Sequence, residues 1–234
     1  RPHCAHTGAW AKGLAGFPAV LQQKWLQLMG QASQELLIVS PYFVPGPDMK
    51  QAFAAARARG VRVRVLTNSL ASNDAPIAHA GYARHRPELL ATGLELYEMR
   101  SELSGLRSVF QGTGSSGVTG SSGDSKAMLH SKLLILDGRL LVIGSMNLDL
   151  RSQLQNTEIA LLIRSRSLSA RATEQIEAAL EDAAWRVEQD SEGRLVWRAP
   201  KDSGLKDATA EPDTSAPLRW LVRILGWFAP DHLL

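Results

Sequence analysis

The stretch HSKLLILDGRLLVIGSMN, residues 130–147, joins two apolar runs at Asp137-Gly138-Arg139 and carries polar groups at both outer ends. Side chains two apart in a strand project to one face, so His130 and Lys132 are expected to point together into one site. Imidazole can attack phosphorus, or protonate a leaving oxygen, near neutral pH, and an adjacent ammonium neutralises phosphoryl oxygens. The run Leu140 to Gly144 then delivers Ser145 and Asn147 at its end. Leu148 to Arg151 reads as a helix start, whose backbone amides would favour an anion beside the Asn147 amide. Downstream, Glu158 is expected to hydrogen-bond the far nitrogen of His130 and fix its tautomer, as a carboxylate does in hydrolase triads. Asp137 sits five residues past Lys132 and suits turn stabilisation better than direct chemistry.

Around that stretch, helix and strand patterns alternate. Ala19 to Ala32 reads as a helix, with Leu21, Trp25 and Leu28 on its core face. Leu36 to Ser40 is a short apolar strand, and Asp48 is placed to cap a helix that runs to Arg59 and stops at Gly60. Val61 to Leu66 alternates in period two. A helix from Asn73 or Asp74, with Pro76 in its first turn, ends near Gly93, and Leu94 to Glu98 is a strand. The expected later elements are strands over Ala127 to Leu136, Leu140 to Gly144 and Thr157 to Ile163. A long helix from about Ser169 to Gln189, an edge strand Leu195 to Arg198 and a last helix Leu218 to Phe228 follow. The fold class predicted is α/β, a mixed sheet flanked by helices. The predicted division is an extension over 1–18, a domain over 19–200, a linker over 201–217 and an amphipathic tail over 218–234. Residues 112–125 (GTGSSGVTGSSGDS) read as a flexible loop, either a rim of the site or a plain insertion.

Composition narrows the classes. In 234 residues, 44% apolar and 21% charged, there is room for one substantial core and no sign of disorder. No apolar run reaches the length of a membrane span, and Arg1 to Gly13 lacks the apolar stretch of a signal peptide. The start at Arg1 reads as a processed or excised piece. The net charge of +3 suits phosphate-bearing partners without requiring them. One cysteine, Cys4, excludes an internal disulfide, and its spacing from His3 and His6 fits no zinc pattern. No metal or other cofactor is expected.

The string HSKLLILDGRLLVIGSMNLDLRS…NTE resembles the HKD motif, HxK(x)4D(x)6GSxN, of the phospholipase D superfamily. Six specified residues at about 5% usage each coincide by chance on the order of once in 10⁸ start positions, so the motif is specific. SPYFVPG (Ser40 to Gly46) and TNSLASNDAPIAHAGYARHRPELLATGLELYE (Thr67 to Glu98) are similar to the second half of bacterial cardiolipin synthases and their relatives. The ending RWLVRILGWFAPDHLL is similar to that group's C-terminal tail, and the likeness covers roughly Leu36 to Ile163. The resemblance implies metal-independent chemistry through a phosphohistidine, with His130, Lys132, Asn147 and Glu158 catalytic and Ser145, Gly144 and Asp137 supporting them. It also implies two HKD motifs per active site. None of His79, His85 or His232 begins a second one, so a first half, on the same chain or a second subunit, is the expected partner. That first-half histidine is usually the nucleophile, which leaves His130 as general acid and base.

The activity implied is phosphatidyl transfer between phospholipids such as phosphatidylglycerol, forming cardiolipin at the bacterial inner membrane as a peripheral protein. Phospholipase D hydrolysis is the first alternative and a homodimeric nuclease the second. Against nucleic acid, Arg62 and Arg64 alternate with valines as a solvated strand face would, without aromatic residues for stacking. His79, Tyr82 and Arg86 share a helical face. By resemblance, Asp74, His79 and Tyr82 line a substrate pocket; otherwise Asp74 caps a helix and His79 is an ordinary partly buried histidine. The last helix, with Arg219, Arg223, Trp220 and Trp227, suits either a membrane interface or docking onto the domain itself.

Overall fold

Leu36, Leu37, Ile38 and Val39 are buried on both faces of their strand, which is the requirement for a central strand in a layered α/β sheet. In the computed structural model, which describes residues 17–101, 128–149, 152 and 158–228, that strand lies at the middle of an eight-stranded sheet. Helix α1 (Phe17–Gly30) is followed by β1 (Glu35–Val39), β2 (Phe43–Val44), α2 (Pro47–Ala58), β3 (Arg62–Asn68), α3 (Pro76–Ala91) and β4 (Glu95–Met99). After residues 102–127 come β5 (Leu133–Leu136), β6 (Leu140–Gly144), β7 (Leu148–Asp149), β8 (Ala160–Arg164), α4 (Arg166–Asp182), β9 (Ala184–Gln189), β10 (Leu195–Arg198) and α5 (Ala216–Phe228). The strand order is β10-β9-β4-β3-β1-β5-β6-β8, with β1, β3 and β4 parallel and the other pairings antiparallel. The expected mixed α/β sheet is therefore the observed one.

Alternation along β1 divides the core. Leu36 and Ile38 meet Trp25, Met29, Phe53 and Leu89 of the helices on one face. Leu37 and Val39 meet Ile176, Ala179 and Leu180 of α4 on the other. The parallel βαβ unit β1–α2–β3 needs a sharp exit from α2. Gly60 supplies it at φ +83°, with its N–H and that of Val61 closing on the carbonyls of Arg57 and Ala56.

Several elements depart from expectation. Gly46 is the N-cap of α2, and Asp48 lies inside its first turn instead of capping it. Ala75, not Asp74, is the N-cap of α3. Helix α4 stops at Asp182, because Trp185 and Val187 alternate with Arg186 and Glu188 and are drawn into the sheet as β9. Leu148 and Asp149 do not begin a helix. They form β7, parallel to β2, since Leu148 and Phe43 are both buried and pair there. The Gly/Ser stretch 112–125 lies outside the described residues. Within 201–217, Ala208 bridges Trp197 of β10, and Glu211 reaches the core. No helix among the described residues is long and apolar enough to cross a membrane.

Candidate active site

The first strands end at the same edge of the sheet where the 130–147 hairpin begins. His130 and Lys132 lie in extended chain just before β5 and share a pocket of about 440 Å³ with Ser131, Leu133, Ile143, Gly144 and Ser145. His130 is exposed and Lys132 half-buried, and Lys132 Nζ donates to the His130 carbonyl at 2.9 Å. Burial lowers the Lys132 pKa from the ordinary lysine value, with the charges of Glu158 and Asp149 pulling it partly back. The chain registers by two bonds across the hairpin, Gly144 N–H to the Lys132 carbonyl at 3.1 Å and Ser145 N–H to the Ile159 carbonyl at 3.0 Å. Gly144 is there for space: a Cβ would sit 2.7 Å from the Ile159 carbonyl oxygen.

Glu158 is bonded differently from expectation. Its carboxylate accepts a very short hydrogen bond from the Ser145 hydroxyl, which in turn accepts the Ile159 N–H at 3.0 Å. No bond from His130 to Glu158 occurs among the described residues; Glu158 reaches the site through Ser145 and through its charge on Lys132. Asn156 lies outside the described residues. Asn147 is half-buried, and its Oδ1 has no hydrogen-bond partner. The two ends of an amide exchange on rotation about its last bond, so an N–H donor can occupy the same place.

Asp137 is at the far end of β5 from His130, at φ +48°. Its carboxylate accepts the N–H groups of Ser33, Gln34 and Glu35 and the Ser33 hydroxyl. Burial opposes ionisation, yet those donors hold its pKa at about 2. It ties the hairpin to the start of β1.

His79 and Tyr82 do not line the pocket. Both are buried, together with Arg86, in a charge cluster beneath α3. Arg86 Nη1 meets Glu211 at 2.6 Å, its Nη2 is 2.7 Å from His79 Nε2, and its Nε is 2.8 Å from Glu98, close as an ion pair though not aligned as a hydrogen bond. The guanidinium also stands over the Tyr82 ring. Burial would raise the Glu211 pKa, but Arg86 and His79 outweigh it and hold it at about 2. Burial raises that of Glu98. The physical reason for the correction is that a helical face three and four residues apart is equally a core face, and β4 with residue 211 closes over it. Asp74 is exposed and accepts a very short bond from the Tyr42 hydroxyl, whose pKa rises to about 12 through burial and then Asp74. Tyr42 feels Asp149, which also acts on Lys132, so this pair stands at the margin of the site. Arg64 is not a solvated face either. It is buried and paired with Glu35 at 2.8 Å and Glu177 at 2.9 Å, while Arg62 is paired with Glu95 at 2.7 Å.

Two residues that the sequence reading passed over hold the site together. Asn68, buried at the end of β3, donates to the carbonyls of Pro41 and Leu129 and accepts the Leu129 N–H at 2.9 Å. It thus clamps the residue next to His130. Ser40 accepts the Leu148 N–H at 3.0 Å and donates to the Tyr42 carbonyl at 2.6 Å, fixing the chain just past Asn147. Their only sequence signal is position, each at or just past the end of an apolar strand.

The family described as "Cardiolipin synthase, PLD-like domain" matches residues 25–180. This chain belongs to that phospholipase D-like family. It is 37% identical over 230 residues to "Cardiolipin synthase C" of Escherichia coli K12, covering 97% of this chain and 46% of that protein. The chain thus spans about half the length of that curated relative. Its fold is similar to phosphatidylserine synthase of Haemophilus influenzae, with TM-score 0.59 and 17% identity over 91% of this chain and 44% of that one. It is also similar to Nuc, a phospholipase D family member of Salmonella typhimurium, with TM-score 0.50 and 19% identity over 72% of this chain and 91% of that one.

Proposed function

We propose that this chain supplies the second HKD half-site of a phosphatidyltransferase that forms cardiolipin from phospholipids such as phosphatidylglycerol, acting peripherally at the bacterial inner membrane. The observation that carries the reading is the open pocket in which an exposed imidazole, His130, adjoins a half-buried ammonium, Lys132, under the Ser145–Glu158 pair. The identity to cardiolipin synthase C supports the choice of substrate.

In the reaction, a histidine of the first half attacks the phosphorus of the donor lipid, forming an N–P bond. As the P–O bond to the departing glycerol breaks, His130 gives that oxygen its proton. His130 then takes the proton of the acceptor hydroxyl, whose oxygen attacks the phosphohistidine, and the N–P bond breaks. Lys132 and the Asn147 amide neutralise the phosphoryl oxygens through both steps. Glu158 accepts from Ser145 at the pocket wall, and its charge offsets part of the burial that lowers the Lys132 pKa.

Two features support a half-site. The chain covers under half of the synthases it resembles but most of Nuc. An apolar patch also adjoins the pocket: Ile143 is 41% exposed, and its cross-strand partner Leu161 is 61% exposed beside Ile159 at 76%. Covering it with the first half would close the pocket from that side.

The test is incubation of the full-length protein and its His130→Ala variant with labelled phosphatidylglycerol in detergent micelles. Cardiolipin from the intact protein, lost in the variant, is the expected result. Phosphatidic acid instead would assign water as the acceptor. Cleavage of another phosphodiester alone, dependent on His130, would keep the chemistry and discard the substrate.

A further inference from the structure

The larger cavity among the described residues is not the one at His130. It is a groove of about 890 Å³ between α3, β10 and α5, on the side of the fold where the C-terminal helix docks. Leu218, Val222 and Leu225 fix that helix on Leu70 and Ala80, and Gly226 brings its backbone close to the Ala80 carbonyl. Leu70, Ala80 and Val222 therefore give the groove an apolar lining. Its cations are of two kinds. Arg86 in the floor is matched by Glu98 and Glu211, Arg194 at the rim by Asp190 and Glu192, and Arg84 donates to the Gly226 carbonyl at 2.8 Å. Arg219 and Arg223 have no such match. Arg219 donates to the neutral carbonyl and hydroxyl of Thr214, and Arg223 has no carboxylate partner among the described residues. Both line the groove one helical turn apart, where two like charges repel unless an anion lies between them.

An apolar trough with two uncompensated guanidiniums matches a molecule with one phosphate and long hydrocarbon chains. Arginine in particular binds phosphate by paired donors. On the same helix, Trp220, which also lines the groove, is 67% exposed, and Leu221 is exposed as well, as residues at a bilayer interface are. The location fits as well. Leu70 is two residues past Asn68, which clamps Leu129 beside His130, so α5 and the site share one edge of the sheet.

We infer that this groove binds an anionic phospholipid of the membrane, its phosphate on Arg219 and Arg223 and its acyl chain along Leu70 and Val222. The bound lipid docks the His130 edge on the bilayer. This rests on the membrane location proposed above but not on the chemistry at His130. The experiment is hydrogen exchange of the full-length protein in nanodiscs of phosphatidylcholine alone and of phosphatidylcholine with an equal part of phosphatidylglycerol. Amides of residues 216–226 are expected to exchange about tenfold more slowly with the anionic lipid. The double variant Arg219→Gln/Arg223→Gln is expected to lose that difference. On anionic vesicles the same variant is expected to raise KM about tenfold to thirtyfold, with turnover of a soluble short-chain phosphatidylglycerol unchanged. Equal protection in both lipids, or protection that survives in the variant, would overturn the inference. So would the same protection from inorganic phosphate or a DNA duplex, each of which names a different ligand. His130→Ala reads separately: if it left turnover intact, the catalytic reading would fail while the exchange result still decided the groove.

Discussion

Asn68 shows how much of the site's geometry rests on one side chain with no chemistry of its own. Its amide spans Pro41, after β1, and Leu129, before His130, so it sets the distance between the loop after β1 and the chain that leads into His130. Asn68→Ala in the full-length protein is expected to cut kcat by about tenfold to a hundredfold while KM stays within a few-fold, since misplacement costs the transition state more than binding. A Tm measured alongside separates this from loss of the fold, and an unchanged kcat would remove Asn68 from the positioning role. Lys132 gives a pH test. Its ammonium is the useful form, and burial shifts its pKa below the ordinary lysine value. Activity is therefore present below that folded pKa and lost as pH rises through it, earlier than for an exposed lysine. Lys132→Arg is expected to move the alkaline limb upward even as it lowers the maximal rate, because guanidinium stays charged. That His130 and Lys132 share a pocket with Gly144 and Ser145 was legible because local spacing brings them together, whereas Asp137 lies at the far end of β5. The roles of Asn68 and Ser40 were not legible, because their partners are 61 and 108 residues away.

Elements were legible where local pattern and final environment agree. The period-two run of β3 and the apolar runs of β1 and β6 are such cases. The sequence misled where one pattern serves two environments. His79, Tyr82 and Arg86 are spaced for a pocket-lining face and equally for a core face, and only the return of residue 211 decides between them. Residues 201–217 are polar and Pro-containing, yet Glu211 from that segment is the counter-charge that lets Arg86 be buried. Removing it strands a buried guanidinium beside a carboxyl, Glu98, that burial already pushes toward its neutral form. Glu211→Ala is thus expected to cost about 3–5 kcal/mol, seen calorimetrically as a Tm lower by roughly 6–20 °C. The contribution also has a defined pH window. A carboxyl held at about 2 in the fold stabilises it above the ordinary carboxylate range, and that share fades as pH falls toward 2. The wild type should therefore lose part of its advantage over the variant in acid; a constant difference down to that pH would show that Glu211 is not the ionised partner of Arg86.

At the scale of the molecule, the sheet has two unlike edges. At β10 the edge is short and bridged by Ala208, with arginines and carboxylates alongside. At β8, beyond which no strand pairs among the described residues, it is apolar, with Leu161 and Leu162 exposed on opposite faces and Ile159 beside the pocket. An exposed apolar edge strand is a liability unless something covers it. Helix α4 covers only part of its face, packing on Leu141 and Ile163 and leaving Ile143 and Leu161 open next to Gly144 and Ser145. A covering partner at this place would both bury the edge and wall the pocket, which is what a second half-site requires. Two measurements follow from that placement. The isolated chain is expected to self-associate in sedimentation, and Ile159→Lys with Leu161→Lys to make it monomeric without changing its Tm by more than a few degrees. In the full-length protein the same pair is expected to lower kcat by an order of magnitude or more, because the charges would be buried against the other half at a cost of several kcal/mol. A monomeric wild-type fragment together with a fully active full-length variant would mean that the β8 edge faces solvent in the working enzyme, and the first half would have to dock elsewhere.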